Sequence, residues 1–334
     1  MRKRVLGRTG LEISEIGVGA WQLGGPLVLN GKADGHPDPG REHVISLIRQ
    51  CGEMGLNFID TAEQYGAGES ERRVGEALKG QRDRWVISTK FGALVGPRGE
   101  RVDDASAKRV ALSLEGSLRR LGTDRIDVYL YHVTPDRKQA DAVAKFLESA
   151  RHKGQVRAVG ISTNDLEQVR MLHELGCCDV VEYERNMLRP EEGLTAYLRE
   201  HNIGGVVRGA LAAGRLSGKY FRRPPELSAE DIRSTWFAGQ DVGKEFRRYA
   251  VFGGLVRPGR TMVQVALRYL LDDPATHTVV LGAKSIDEYR DAVAATELSP
   301  LTEGERRTIA ELRRRLREGP ALKRMLKRLV GRKG

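Results

Sequence analysis

The sequence predicts an α/β protein built on one closed (β/α)8 barrel. Short apolar runs rich in β-branched residues alternate with amphipathic helical patterns, and eight such strand–helix pairs can be counted. A length of 334 residues suits a single barrel of this kind. The glycine-rich connection after the first strand, residues 17–25, does not lead promptly into a helix, which disfavours the alternative of an open doubly wound sheet.

The elements follow each other in a regular order along the chain. Residues 4–14 carry Arg-Thr-Gly between short apolar runs, which predicts a small hairpin that closes the barrel floor. The strands are predicted at 16–20, 57–60, 85–90, 127–132, 156–162, 180–183, 204–208 and 278–281. The helices are predicted at 44–54, 69–79, 106–121, 138–153, 166–175, 191–201, 262–271 and 286–294. The long connections 26–42 and 221–260 are predicted to be loops that line the mouth and set specificity.

The charge is distributed unevenly. The net charge is +11, but residues 303–334 contain 12 Lys and Arg against 4 Glu, so this segment carries +8 and the first 302 residues only +3. We therefore expect a barrel over residues 1–316 and a basic helical extension over residues 317–334. A helix packed on the outside of the barrel is the favoured interpretation of this extension, and contact with nucleic acid or an anionic membrane is the alternative.

Three cysteines, Cys51, Cys177 and Cys178, and the lack of an apolar N-terminal run predict a cytoplasmic protein with reduced thiols. Their spacing offers no metal-ligand pattern, so no metal is expected.

Ionisable residues stand where predicted strands end. Asp60 closes the second strand, Lys90 the third and His132 the fourth, and Tyr65 follows the second strand by five residues. Any one of them could be an isolated polar residue at a strand end. The carboxyl ends of barrel strands share one mouth, however, and barrel enzymes keep their active sites there. The four residues together therefore predict an active site.

Four segments resemble the aldo-keto reductase family. They are Gly-Leu-Asn-Phe-Ile-Asp-Thr-Ala-Glu-Gln-Tyr-Gly at 55–66 with Gly-Glu-Ser-Glu at 68–71, Gly-Ile-Ser at 160–162, Gly-Arg-Leu-Ser-Gly-Lys-Tyr at 214–220 and Gly-Ala-Lys-Ser at 282–285. The resemblance covers residues 4–316 and implies a TIM barrel, a nicotinamide cofactor bound without a Rossmann fold, and reduction of a carbonyl or oxidation of an alcohol. It also implies that Asp60, Tyr65, Lys90 and His132 form the catalytic tetrad.

The chemistry explains these residue types. Hydride delivery to a carbonyl carbon builds negative charge on oxygen, which needs a proton donor. A free phenol, with a pKa of about 10, is a weak acid, and a nearby ammonium such as Lys90 is expected to lower the pKa of Tyr65. Asp60 would keep Lys90 charged, and His132 would orient the substrate oxygen. The resemblance makes Tyr65 the acid, whereas residue chemistry alone leaves His132 open.

The resemblance also implies a set of cofactor-binding residues: Gly19, Ala20, Trp21, Asp60, Ser162, Thr163, Glu182, Arg208, Gly209, Leu211, Arg215, Lys219, Gly282, Lys284, Ser285 and Arg290. Lys284 and Arg290 resemble a pair that binds the 2′-phosphate of NADP, so NADP is predicted and NAD is the alternative. Glu182 stands where the family has Gln, and Arg208 where it often has an aromatic residue. Ser162 could instead be a helix cap, and Arg208 a surface residue.

The predicted function is transfer of a hydride between NADP(H) and a small carbonyl or alcohol substrate. Two alternatives remain open. One is a sugar or secondary-metabolite dehydrogenase that works mainly toward oxidation with NAD. The other is a catalytically weak regulatory subunit that keeps the barrel.

Overall fold

The structure, a computed structural model, describes the backbone of residues 1–330 and the side chains of residues 1–318. Eight parallel strands pair in chain order and close into a barrel. They are β1 Ile16–Gly19, β2 Phe58–Asp60, β3 Val86–Phe91, β4 Ile126–Tyr131, β5 Val156–Ser162, β6 Val180–Glu184, β7 Gly204–Arg208 and β8 Thr278–Leu281. The pairing of Val279 with Ile16 joins β8 to β1 and closes the ring. The predicted barrel is therefore confirmed, and the open sheet is wrong.

Helices cover the outside of the barrel, except for two short helices that lie in the connection 221–260 at the mouth. In chain order the helices are α1 Arg41–Glu53, α2 Glu69–Ala77, α3 Ala107–Leu121, α4 Arg137–His152, α5 Leu166–Glu174, α6 Glu192–Glu200, α7 Ile232–Trp236, α8 Val242–Arg247, α9 Met262–Leu271, α10 Ile286–Ala294 and α11 Glu303–Val330. Several begin at a side chain that accepts a hydrogen bond from the first turn. Ser106 does so for α3, Asp136 for α4 and Thr261 for α9, and the last two form capping boxes with Gln139 and Gln264.

The barrel floor is closed by the predicted hairpin. Its antiparallel strands are Lys3–Val5 and Glu12–Ser14. The buried side chains of Leu6, Leu11 and Ile13 pack against inward-facing residues of the barrel strands, among them Phe58 and Val128. The hairpin therefore completes the apolar core from below, and the opposite, carboxyl ends of the strands form the mouth of the barrel.

The mouth is more ordered than predicted. The connection 26–42 contains the hairpin Val28–Leu29 with Lys32–Ala33, and the hairpin Ala93–Val95 with Arg101–Asp103 follows β3. The connection 221–260 is not a simple loop, because it contains α7, α8 and a 3-10 helix at Arg248–Leu255. These short elements are stabilised by contacts across the mouth, which local sequence patterns do not reveal.

The final helix α11 packs on the barrel through its first half. Ile309 is fully buried, Leu312 and Leu316 lie against the same apolar cluster, and Arg306 is paired with Asp272 at 2.5 Å. The predicted boundary between residues 316 and 317 falls inside this helix. The packing predicted for the basic extension stays a prediction, because the side chains of residues 319–334 and the backbone of residues 331–334 lie outside the part of the chain that the structure describes. No helix in the described part of the chain has the length and apolar character needed to cross a membrane.

Candidate active site

The barrel register brings the four predicted catalytic residues to one place. Asp60 is the last residue of β2, and its neighbour across the strand pair is Ser88 of β3, two residues before Lys90. His132 directly follows β4, and its backbone N–H donates to the carbonyl oxygen of Phe91 at 2.8 Å. Tyr65 lies in the short turn that joins β2 to α2. The strand ends therefore deliver three side chains, and the turn after β2 delivers the fourth.

Lys90 is the centre of the polar contacts. Its side chain is fully buried, and Nζ lies 2.5 Å from Oδ2 of Asp60 and 3.2 Å from the hydroxyl of Tyr65. It also donates to the carbonyl oxygen of Thr61 at 3.1 Å. Burial disfavours the ammonium, but the carboxylates of Asp60 and Glu182 outweigh burial and raise the pKa of Lys90. Lys90 is therefore a permanent positive charge beside the phenol.

Tyr65 remains a neutral phenol. Burial raises its pKa to about 12, with Lys90 acting in the opposite direction and Asp60 and Glu182 reinforcing the rise. The predicted influence of Lys90 is present, but the expectation of a net lowered pKa is wrong, because burial and two carboxylates outweigh one ammonium. At neutral pH the hydroxyl of Tyr65 is consequently a hydrogen-bond donor.

His132 is a neutral imidazole beside that phenol. The two rings meet edge to face, with centroids 5.6 Å apart. Burial, together with the positive charges of Lys90, Arg101 and Arg208, holds the pKa of His132 well below its usual range. Its Nδ1 atom is buried and finds no hydrogen-bond partner among the described residues. His132 can thus orient a polar group in the mouth without adding charge.

Close backbone packing fixes the turn that presents Tyr65. Gly66 has a positive φ of 57°, and a Cβ atom at this position would lie 2.1 Å from the carbonyl oxygen of Gly24. The following Ala67 is also left-handed, which costs a non-glycine residue about 1 kcal/mol. Only glycine can therefore bring this turn so close to the loop after β1.

An aromatic wall, Trp21, His36 and Trp236, borders Tyr65. The Trp21 ring stacks against Tyr65 with centroids 5.9 Å apart, and His36 and Trp236 lie 5.1 and 5.8 Å from Trp21. Of these three only Trp21 was predicted. His36 and Trp236 come from the two mouth connections, and a solitary His or Trp in a long polar segment gives no periodic signal.

A polar cavity of about 320 Å³ lies beside His132. It is lined by Arg101, Asp103, Ala105, His132, Val133, Thr134 and Gln139. None of these apart from His132 was predicted. The side chains that line the cavity offer both donors and acceptors, as a binding site for a small polar molecule requires.

Glu182, which was predicted as a cofactor contact, forms an ion pair with Lys90. Its buried carboxylate lies 3.1 Å from Nζ of Lys90 and accepts from the hydroxyl of Ser162 at 3.1 Å. Arg208, at the end of β7, lies 3.5 Å from Oε1 of this carboxylate, the oxygen that accepts from Ser162, whereas Lys90 lies on Oε2. Thr163 donates its backbone N–H to the carbonyl oxygen of Glu182. The predicted nicotinamide-side residues therefore form one connected group with Lys90.

The remaining predicted cofactor residues fall into two groups. Gly19 ends β1, and Ala20 follows it and donates its N–H to the carbonyl oxygen of Asp60. The second group lies around the loop after β7 and the start of α10: Gly209, Leu211, Arg215, Lys219, Gly282, Lys284, Ser285 and Arg290. The carbonyl oxygen of Gly209 accepts from the amide of Asn186.

Positive charge gathers where α10 begins. Ser285 caps the helix, Arg290 pairs with Asp287 at 2.6 Å, and Lys219 lies 3.7 Å from Glu288. Burial lowers the pKa of Lys284, and the nearby cations Arg233 and Lys219 act in the same direction, against Asp231 and Glu288. Arg215 is less free, because Glu245 binds it at 3.0 Å. Lys284 is thus a half-buried cation at the N-terminal end of α10, a position that favours an anion, although the acids Asp287 and Glu288 in the first turn already pair with Arg290 and Lys219.

Fold and site together define a barrel enzyme with acid–base groups at the carboxyl ends of its strands. The family model described as Aldo/keto reductase family matches residues 15–314, and the chain belongs to this family of oxidoreductases, which use nicotinamide cofactors. Within the described residues, no group of three or more His, Cys, Asp and Glu side chains could bind a metal.

Known relatives and solved structures agree with this membership. The chain is 28% identical to the NADH-specific methylglyoxal reductase of Escherichia coli, over 90% of this chain and 94% of that protein. The holo form of an aldo-keto reductase from Bacillus halodurans superposes with a TM-score of 0.77 at 29% identity, covering 93% and 96% of the two chains. The glycerol dehydrogenase of Gluconobacter oxydans gives a TM-score of 0.78 at 26% identity, covering 93% and 94%.

Proposed function

We propose that this protein is an NADP(H)-dependent oxidoreductase that transfers a hydride between the nicotinamide and an aldehyde, ketone or sugar, with Tyr65 as general acid in reduction and general base in oxidation. The observation that carries the proposal is the arrangement around Lys90. One buried ammonium lies between the carboxylate of Asp60 and the hydroxyl of Tyr65, and Tyr65 borders the mouth of the barrel.

Each of the four residues has its own role in the proposed reaction. The substrate oxygen accepts hydrogen bonds from the Tyr65 hydroxyl and from His132, whose rings lie edge to face in the mouth. The nicotinamide supplies the hydride when it is bound. As negative charge develops on the substrate oxygen, Tyr65 gives up its proton, and Lys90 at 3.2 Å stabilises the resulting phenolate. Asp60 keeps the ammonium aimed at the phenol. In the oxidative direction the same phenolate accepts the proton of the alcohol.

The chain offers residues that fit a nicotinamide dinucleotide. Ser162, Thr163 and Arg208 would bind the nicotinamide side, and the backbone between Gly209 and Lys219 the pyrophosphate. Lys284, Ser285 and Arg290 would bind the 2′-phosphate of NADP. The half-buried ammonium of Lys284 at the N-terminal end of α10 supports NADP, because a helix N-terminus favours an anion. One relative is named as NADH-specific, so membership of the family leaves the nucleotide open and NAD stays the alternative.

An oxidative role is the second candidate. It is favoured by the similarity to a glycerol dehydrogenase. The high pKa of Tyr65 acts against it at neutral pH, because the phenolate that would serve as base forms only under alkaline conditions. A regulatory subunit without turnover is disfavoured, because Asp60, Tyr65, Lys90 and His132 are all present and lie together at the mouth. A small-molecule partner and a cytoplasmic location stay predictions.

One panel of assays tests the function. Purified protein is incubated with aldehydes, ketones and sugars in the presence of NADPH or NADH, and with the corresponding alcohols in the presence of NADP⁺ or NAD⁺. The proposal predicts carbonyl reduction that is faster with NADPH. Turnover with NAD⁺ and an alcohol alone would favour the oxidative candidate, and no turnover with any pair would leave the regulatory one.

A further inference from the structure

Glu182 is a second buried carboxylate on the catalytic lysine. Its side chain is 1% exposed, and its two oxygens have different partners. Oε2 lies 3.1 Å from Nζ of Lys90, whereas Oε1 accepts from Ser162 and lies 3.5 Å from Nε of Arg208. Asp60, Lys90, Glu182 and Arg208 therefore form a chain of alternating charges.

This chain is balanced only when all four members are present. At the alkaline pH where Tyr65 ionises, Asp60, whose pKa is about 8, is a carboxylate and alone would neutralise Lys90, so adding Glu182 leaves one uncompensated negative charge in a buried place, which is costly. Arg208, 41% exposed at the rim of the mouth, supplies the missing positive charge. Both departures from the family pattern noted in the sequence, Glu182 and Arg208, are thus partners in one contact.

We propose that Glu182 is a positioning residue for Lys90 and that Arg208 is its counter-ion, so that this pair determines how strongly the Lys90 ammonium acts on the hydroxyl of Tyr65. The inference deepens the proposed function, on which its catalytic meaning rests. Glu182 competes with the Tyr65 oxygen for the same ammonium, since both lie within 3.2 Å of Nζ. Arg208 weakens that competition because its positive charge partly compensates the negative charge of Glu182.

The direction of each effect follows from these contacts. The Glu182 carboxylate contributes to the raised pKa of Tyr65, so its removal lowers that pKa. Lys90 and then Arg208 lower the pKa of Glu182 against its burial. Without Arg208 the negative charge of Glu182 is less compensated, and the pKa of Tyr65 rises further. Arg208 acts on Tyr65 through Glu182, so its effect should vanish once Glu182 is neutral.

The test measures ionisation of Tyr65 in two ways. The first is the ultraviolet difference spectrum of the phenolate without cofactor or substrate, taken as each protein minus its own Tyr65→Phe version. The second is the basic limb of the kcat profile. Glu182→Gln should shift both toward lower pH by about one pH unit, and Glu182→Asp, which keeps the charge, should shift them less. Arg208→Gln should shift both titrations toward higher pH. When Arg208→Gln is added to Glu182→Gln, the double variant should titrate much like Glu182→Gln alone.

Glu71→Gln is the matched control. Glu71 is also a buried glutamate, bound by Arg120 at 2.6 Å and by Thr89 at 2.7 Å, but it does not contact Lys90. Glu71→Gln should change the stability of the protein and leave both the spectroscopic titration of Tyr65 and the basic limb of the kcat profile unchanged. If Glu182→Gln does not fold, Glu182→Asp together with Arg208→Gln still gives the two predicted shifts. Unchanged Tyr65 titration in a folded Glu182→Gln protein overturns the inference. The spectroscopic result is measured without turnover, so it can be told apart from a failure of the proposed function, which the activity panel tests on the unmodified protein.

Discussion

At the scale of single residues, the chemistry of the site depends on which charges lie near which oxygen atoms. Lys90 is fully buried and contacts Asp60, Glu182 and Tyr65, so a charge change at any of them is felt by the others. Burial and Glu182 raise the pKa of Asp60 to about 8, against the pull of Lys90. The two carboxylates therefore titrate as a pair that shares one ammonium.

The nucleotide preference is also decided by single residues. Replacing Arg290 by Gln should reduce the preference for NADPH over NADH by about tenfold, because a charge-assisted contact to the 2′-phosphate is lost. Fluorescence quenching gives both dissociation constants. Arg314→Gln is the control, since Arg314 likewise pairs with an acid three residues away, on α11. Equal affinity of the unmodified protein for both cofactors would contradict the assignment of NADP.

At the scale of elements, the floor hairpin contributes to stability and lies far from the chemistry. Leu6→Ala should lower the free energy of unfolding by about 2–5 kcal/mol, because Leu6 is fully buried in the lower core. Urea unfolding measures this loss. The neighbouring Val5 is 54% exposed, and Val5→Ala should change stability by less than about 0.5 kcal/mol. Similar losses of stability for both variants would mean that burial of Leu6 in the lower core does not account for the contribution of the hairpin.

The two mouth connections are joined to each other. The backbone N–H of Ile232 donates to the carbonyl oxygen of Gly35 at 2.8 Å, and His36 lies 3.7 Å from Asp231. Burial lowers the pKa of His36 to about 4, with Lys284 and Arg233 acting in the same direction and Asp231 opposing. His36 is therefore neutral in the folded protein at pH values where an unfolded chain already protonates it.

This difference makes stability depend on pH. As pH falls from about 6.5 toward about 4, protons bind to His36 of the unfolded chain first, so the contribution of His36 to stability is progressively lost. His36→Phe should keep the contact with Trp21 and lose less in melting temperature over this range than the unmodified protein. The exposed His152 provides the control, and His152→Gln should keep the original slope. Equal slopes for His36→Phe and the unmodified protein would contradict the shifted titration.

The barrel elements could be predicted closely, and the mouth could not. The strand predicted at 156–162 is observed as Val156–Ser162, and the one at 278–281 as Thr278–Leu281, because buried barrel strands are short β-branched runs between polar connections. The contact between His36 and Asp231 joins residues that are almost 200 positions apart, in two connections that have no apolar periodicity. Likewise Glu182 could be placed at the mouth from its strand, but its ion pair with Lys90 depends on the closed ring.

At the scale of the whole molecule, positive charge is concentrated at one end of the chain, as +8 in residues 303–334. Deleting residues 320–334 should lower the melting temperature if this segment packs on the barrel, and activity on small substrates should persist because the tetrad lies elsewhere. The intact protein should not bind acidic vesicles or nucleic acid at low salt. Salt-sensitive binding that disappears with the segment, at unchanged melting temperature, would instead show that it recruits a polyanion.

The most direct measurement of the central claim is the turnover of Tyr65→Phe. Loss of the general acid should lower kcat by at least about 10²-fold. Cofactor affinity should hardly change, because the phenol oxygen faces the substrate side and contacts Lys90. A primary deuterium isotope effect with labelled cofactor establishes that hydride transfer limits the rate. A kcat near that of the unmodified protein, under a full isotope effect, would contradict the account and show that another residue is the acid.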